Sequence, residues 1–206
     1  AVIAAVTHPK RQAYETGELA EAEFTAAVNE AAGERVEQAA SSGTEAHEAV
    51  ASYLEAGPVK ERWLPLAKAV AGHLAALSGD DRIGDGMEAW VSEQPFASVS
   101  YGYGGKVDLY AEAPRATYVV DLKTRDFGPD AKAVRPYDSE VMQLAAYAHG
   151  LGFPEATLVN IYASRSHPGE ARMVVYGEDE ATLGWARFEC LLAYFKLTKG
   201  LLNAAS

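Results

Sequence analysis

The sequence predicts an α/β protein, with helices packed around a small mixed β-sheet. Apolar residues recur every three or four positions through much of the first 80 residues, and again over 139–150 and 178–202. That is the period of a helix with one buried face. Between 87 and 124, and again over 156–177, the pattern changes to short runs of Val, Tyr, Trp, Phe and Ile, the residues that suit a pleated, half-buried surface. The order is helices, three strands, helix, two strands, helix, which places layers of helix against one sheet.

Each element has its own signal. From Glu15 to Ala40 the chain is rich in Ala and Glu, and Leu19, Phe24, Val28 and Val36 form an apolar stripe. SSGT at 41–44 breaks this helix and offers Thr44 as the N-cap of the next. That second helix runs through EAHEAVASYLEA and stops at Gly57–Pro58. A third helix covers 61–77, with Trp63, Leu66, Val70, Leu74 and Leu77 in register, and SGDDRIGDG at 78–86 is a loop. MEAWVSEQPF, ASVSYGYGGKVDLYAE and ATYVVDLKT are three strands, with a turn or bulge at YGYGG and a short turn at EAPR. A loop over 125–137 leads to a helix that ends at Gly150. ATLVNIYAS and ARMVVYG are two further strands, and a long amphipathic helix over 178–202 closes the chain. The expected organisation is one domain over 1–206, with a helical part at 1–80, a sheet core at 87–176 and a C-terminal helix.

Composition excludes several classes. No apolar run is long enough to span a bilayer, and the first residues lack the charge order of a signal peptide. The chain opens on Ala1 and not Met, which leaves room for residues ahead of it. The single cysteine, Cys190, excludes an internal disulfide and any all-cysteine cluster. It lies in the apolar run RFECLLAYF and is expected to be a core thiol. These features fit an intracellular protein, in the cytoplasm or acting in a host cytoplasm if phage-encoded. The net charge of −11 argues against a general nucleic-acid coat protein. The acidic excess is densest in residues 1–60, so it does not preclude a basic groove elsewhere.

The chemistry-bearing residues cluster on two strands. In VVDLKT, Asp121 and Lys123 are two apart and share one face of the strand. They are either a solvated ion pair, worth about 0–1 kcal/mol, or half of a site. Val119, Val120 and Leu122 make the strand a central, buried one, where charge is costly unless paired or metal-bound. Asp108 falls on the preceding strand, and sequential strands usually pair. Two carboxylates so placed can share a hard divalent cation. Lys106, Arg125, Lys132, Arg135 and Arg165 flank the site and could line a phosphate groove. Tyr101, Tyr103, Phe127 and Tyr137 are either stacking platforms for single-stranded bases or ordinary packing aromatics.

Taken in order, the motifs make the chain resemble the RecB-type branch of the PD-(D/E)XK nuclease superfamily. GTEAH at 43–47 is similar to its Gly-Thr-x-x-His motif, and YLEAG at 53–57 continues that helix. GGKVD is similar to its Gly-x-x-Asp strand, DLK to its Asp/Glu-x-Lys strand, and QLAAY at 143–147 to its Gln-x-x-x-Tyr helix. Together they span about half of the chain. The resemblance implies a restriction-endonuclease-like core with an N-terminal helical cap. It implies His47, Asp108 and Asp121 as ligands of Mg²⁺ or Mn²⁺, with the backbone carbonyl of Leu122 as a further ligand. Lys123 would act on the attacking water or the scissile phosphate. Gln143, Tyr147, Thr124 and Arg125 would face DNA. Glu93 matches a frequent family glutamate whose role is left open.

Some relatives carry four cysteines for an iron–sulfur cluster, which this chain cannot build. It also lacks the P-loop of a helicase motor or other nucleotide site. The expectation is therefore a freestanding deoxyribonuclease, similar to phage-type and mitochondrial-maintenance exonucleases. It would act on DNA ends or single strands in recombination, repair or replication, with a protein partner from those processes and no membrane. The competing readings are a non-catalytic DNA- or protein-binding module, a structure-specific endonuclease, and a nuclease acting on RNA.

Overall fold

A computed structural model of the chain describes residues 10–18, 20, 23, 27, 41–78, 90–113 and 116–199. The chain divides into two compact units, 1–45 and 46–206. In the first, helix α1 (Arg11–Glu15) ends in a turn at 16–18, where Gly17 takes a φ of 79°. The expected helix from Glu15 therefore meets a turn at its start. Residues 23 and 27 are helical, and most of 15–40 lies outside the described residues.

Residues 41–54 are helical and are termed α2. The expected break at SSGT is thus a correction, and Thr44 sits within a helix and not at its cap. One glycine costs a helix only about 1 kcal/mol relative to alanine, so Gly43 alone does not force an end. A 3₁₀ turn at Glu61–Trp63 precedes α3 (Leu64–Ser78), whose Pro65 lies in the first turn, where a missing N–H costs nothing. The expected loop at 78–86 falls outside the described residues from 79 onward.

The sheet has five strands: β1 (Trp90–Ser98), β2 (Tyr103–Ala113), β3 (Ala116–Arg125), β4 (Thr157–Ser164) and β5 (Ala171–Val175). Its spatial order is β1-β2-β3-β4-β5. The β3–β4 pair is parallel and the other pairs are antiparallel. The parallel pair is joined through helix α4 (Asp138–Leu151), since a parallel connection needs a crossover. Pro95 is tolerated because β1 is an edge strand. This is the mixed sheet flanked by helices that the sequence predicts.

Two apolar layers sandwich the sheet. On one face Leu109, Ala111, Val120, Leu122, Val159 and Ile161 pack with Val50 and Leu54 of α2 and with Leu66, Val70 and Leu74 of α3. On the other face Val107, Val119 and Leu158 pack with Val141, Leu144 and Ala148 of α4. Helix α4 runs through Gly150 and ends at Gly152, whose φ of 88° makes the left-handed cap. Gly150 is instead a contact point, because a β-carbon there would overlap the Phe96 ring.

Helix α5 (Glu178–Thr198) lies against α4 along a narrow stripe, and Gly184 is its one buried residue. A β-carbon at Gly184 would sit 3.0 Å from the Val141 carbonyl oxygen, which is backbone and cannot yield. Gly184→Ala is expected to destabilise the protein by about 1–3 kcal/mol, read as a lower urea midpoint; an unchanged midpoint would contradict this packing. Away from the stripe, Leu183, Leu191, Tyr194, Phe195 and Leu197 are exposed. Cys190 is exposed with them, which corrects the expectation of a core thiol. Among the described residues the helix also meets the β1–β2 tip, through Trp185 on Tyr101 and Phe188 on Tyr103.

The sheet opens where β2 leaves β3. Their ladder runs from Ala113–Ala116 to Leu109–Val120 and ends there, while β3–β4 pairing continues to Arg125–Ser164. Beyond the fork, the β1–β2 ribbon also turns over. Leu109 belongs to the α2/α3 layer and Val107 to the α4 layer. Trp90 and Phe96 are split in the same way. Residues an even number apart should share a face, so the ribbon rotates by about half a turn between them. Glu93 and Asp108 occupy that level, between the ladder pairs Ser92–Leu109 and Gln94–Val107. Glu93 has a φ of 53°, which costs a non-glycine residue about 1–3 kcal/mol.

Candidate metal centre

The fork places acidic groups together. Asp108 is the last β2 residue before the ladder to β3 resumes, and its Oδ2 accepts from the Leu122 backbone N–H at 2.8 Å. The carboxylate thus takes the place of a ladder carbonyl. Its Oδ1 lies 3.5 Å from His47 Nδ1. His47 projects from α2, whose neighbouring Ala46, Ala49 and Val50 anchor that helix in the core. Glu93 reaches the same place from β1 and forms an ion pair with Lys106. His47, Glu93 and Asp108 each offer one ligand atom, and these atoms lie within 4.8 Å of one another. Oxygen donors with one imidazole nitrogen fit Mg²⁺, or better Mn²⁺, which accepts nitrogen more readily.

Asp121 stands beside this trio and not within it. It is buried, 2% exposed, on the face of β3 that meets α4. Its Oδ2 receives Lys123 Nζ at 2.7 Å and Asn160 Nδ2 at 2.9 Å. Lys123 also donates to Gln143 Oε1 at 2.9 Å, and Gln143 Nε2 donates to the Tyr147 hydroxyl at 2.5 Å. The strand spacing and the i, i+4 helical spacing read from the sequence therefore converge in one hydrogen-bonded row. Leu122, whose carbonyl the resemblance offers as a ligand, meets the site through its N–H. Thr124 continues β3, half-buried and opposite Ala163.

Arg125 is held within the protein. It donates to Glu140 Oε1 at 2.6 Å and to the Arg135 carbonyl at 2.8 Å. Its guanidinium lies between the rings of Tyr137 and Tyr162, at 4.5 and 4.6 Å. Arg165 pairs with Asp126 at 2.7 Å, while Lys132 and Arg135 are exposed. Of the aromatic candidates, Tyr103 donates its hydroxyl to the Ala146 carbonyl at 2.7 Å, Tyr101 meets Trp185 edge-on at 4.9 Å, and Phe127 lies under Arg172. Tyr137 is the exposed one of the four.

Sequence reasoning missed Asn160, Tyr176 and Glu140. Asn160 is fully buried, and Tyr176 donates its hydroxyl to Asn160 Oδ1 at 2.6 Å. Glu140 accepts from the Tyr162 hydroxyl at 2.6 Å and from the Tyr137 N–H at 2.8 Å. The readable signal was an asparagine inside the otherwise apolar run LVNIYA, since a buried amide must find partners.

The electrostatics match a site built for positive charge. Burial, followed by the charge of Asp108, pushes Asp121 up to about 6, although Lys123 and His47 pull the other way. Burial alone would lower His47, but Asp108 reverses this, with Asp121 and Glu93 adding to it, and leaves it above its ordinary value. Both raised values favour the protonated forms. Their stabilising contributions are present at low pH and are lost as pH rises through about 6 for Asp121 and above the ordinary histidine value for His47. A cation held by His47, with Asp121 alongside, would favour the neutral imidazole and the charged carboxylate, so its binding would displace protons. Mn²⁺ affinity is expected to climb from about pH 5 to about pH 8 with proton release. Calorimetry in two buffers of different ionisation heat checks this; identical heats would contradict it.

Similarity to known proteins is confined to structures. No family model matches the chain, and no curated protein matches it. It is similar to the crystal structure of a protein from Eubacterium rectale provisionally named an exonuclease, with 14% identity and a TM-score of 0.45 over 79% of this chain and 69% of that one. It is also similar to the crystal structure of SSO0001, with 16% identity and a TM-score of 0.32 over 68% of this chain and 61% of that one. Among the described residues, no helix is long and apolar enough to cross a membrane. Fold and site together define an α/β protein with a His/Glu/Asp cluster suited to a divalent cation.

Proposed function

We propose that this protein is a metal-dependent deoxyribonuclease of the PD-(D/E)XK type, acting as an exonuclease on DNA ends or single strands. The observation that carries the reading is the fork itself. It sets His47, Glu93 and Asp108 within reach of one cation, beside a buried Asp121–Lys123 pair.

His47, Glu93, Asp108 and Asp121 would hold Mg²⁺ or Mn²⁺. When bound, such an ion supplies Lewis-acid stabilisation of phosphoryl charge and makes water more acidic. Lys123 has three N–H donors. Asp121 and Gln143 take two of them, which leaves the third for a phosphate oxygen or the attacking water. Gln143 and Tyr147 keep Lys123 aimed. In the reaction, water oxygen bonds to phosphorus and the bond to the 3′-oxygen breaks. That oxygen leaves with a proton, and the 5′-phosphate stays on the other product. A recombination or replication protein is the expected partner.

The test uses end-labelled linear DNA and closed single-stranded circles, with Mg²⁺ or Mn²⁺. The expected result is loss of linear DNA and persistence of circles. Rapid cutting of circles would overturn the exonuclease reading. Absence of metal-dependent cleavage of either would overturn the nuclease reading.

A further inference from the structure

Asn160 sits in the middle of β4, fully buried, with Val159 and Ile161 on either side. Packing alone does not ask for an amide there. Leucine has the same side-chain branching without the cost of burying polar atoms. Among the described residues, the hydrogen bonds of the Asn160 amide lead to two residues. Oδ1 accepts from the Tyr176 hydroxyl at 2.6 Å. Nδ2 donates to Asp121 twice, to its backbone carbonyl at 3.2 Å and to Oδ2 at 2.9 Å. Tyr176 is itself buried and is fixed by its N–H to the Leu158 carbonyl at 3.0 Å.

The two donors on Asp121 Oδ2 differ in stiffness. Lys123 reaches it through a long side chain that also serves Gln143. Asn160 reaches it through a short side chain pinned at both ends. A doubly anchored amide that also grips the backbone of the residue it serves sets the rotation of that carboxylate. Both donors meet the carboxylate at Oδ2. We infer that Asn160, anchored by Tyr176, is a positioning residue that holds Asp121 Oδ2 and thereby presents Oδ1 to a divalent cation. This rests on the metal-dependent reading above.

Partners that orient metal ligands typically change affinity by about tenfold to a hundredfold when removed. Mn²⁺ binding to the full chain, measured by calorimetry, is expected to weaken by that factor in Asn160→Ala and in the same direction in Tyr176→Phe. Thermal unfolding is recorded alongside. Should Asn160→Ala fail to fold, Tyr176→Phe carries the test, because it removes one hydroxyl and keeps the ring. A merely structural role would lower the unfolding temperature and leave Mn²⁺ affinity of the folded variants unchanged, which would overturn the inference alone. A wild-type protein that binds no Mn²⁺ at about millimolar concentration would overturn the inference and the metal-dependent reading together.

Discussion

Lys123→Ala is expected to lower DNA cleavage by about 10²–10⁴-fold while leaving DNA binding in place. The ammonium is half-buried, 2.7 Å from Asp121 and 2.9 Å from Gln143. Deleting it removes the one cation that faces Asp121 from β3 and strands Gln143 without its donor. It also removes a charge that holds the Asp121 titration down, so that titration moves further above about 6. Residual cleavage should then need a higher pH than wild type, because the carboxylate stays protonated longer. Arginine is not expected to rescue, since a planar fork cannot reproduce a compact point charge on two partners. Cleavage is read on end-labelled single strands with Mn²⁺, and binding by fluorescence anisotropy with Ca²⁺. A variant that cuts at the wild-type rate would remove Lys123 from the mechanism.

Asp108 carries two roles that two substitutions separate. Its Oδ2 satisfies the N–H of Leu122, which is almost fully buried, and its Oδ1 faces His47. Asp108→Asn keeps an oxygen acceptor for that N–H but removes the charge. It is expected to fold with near-normal stability and to lose measurable Mn²⁺ binding and cleavage. The lost charge also relieves Asp121, whose value should fall from about 6 toward its ordinary range. Asp108→Ala removes the acceptor as well, leaving a buried N–H unpaired at a cost of about 1–3 kcal/mol. The paired measurements are urea unfolding and Mn²⁺ calorimetry. Equal loss of stability in both variants would show that charge, and not the tether to Leu122, is what Asp108 contributes to the fold.

The strands were legible because their signal is local. Alternation and β-branched residues mark β2 to β5, and the spacing of Asp121 and Lys123 put both on one face, where they do pair. The helix bearing Gln143 and Tyr147 was legible for the same reason. What sequence could not supply was the bend that gathers the ligands. A left-handed backbone is a mark of glycine, and nothing in WVSEQPF announces that Glu93 adopts it. The sequence therefore assigns Glu93 no role, although its carboxylate joins His47 and Asp108 in one cluster of ligand atoms. Arg125 shows a different limit. Its charge and its place beside DLKT suggest a DNA contact, but nothing in the sequence signals its pairing with Glu140 and two tyrosine rings. Those partners come from loop, helix and strand residues 12 to 37 positions away along the chain, beyond the reach of any local pattern. Cys190 failed because an apolar run does not reveal how many sides of its helix find a neighbour.

The left-handed turn at Glu93 has a consequence for how this protein could be improved or spoiled. The backbone there is held by ladder pairs on both sides, so its energetic cost falls on folding and not on the arrival of a cation. Glu93→Gly would relax that conformation, and by backbone geometry alone should favour the folded state. It would also delete one of the three candidate ligands. Selection for thermal robustness alone would then drift toward glycine at this position, and the gain in durability would come at the expense of the metal centre.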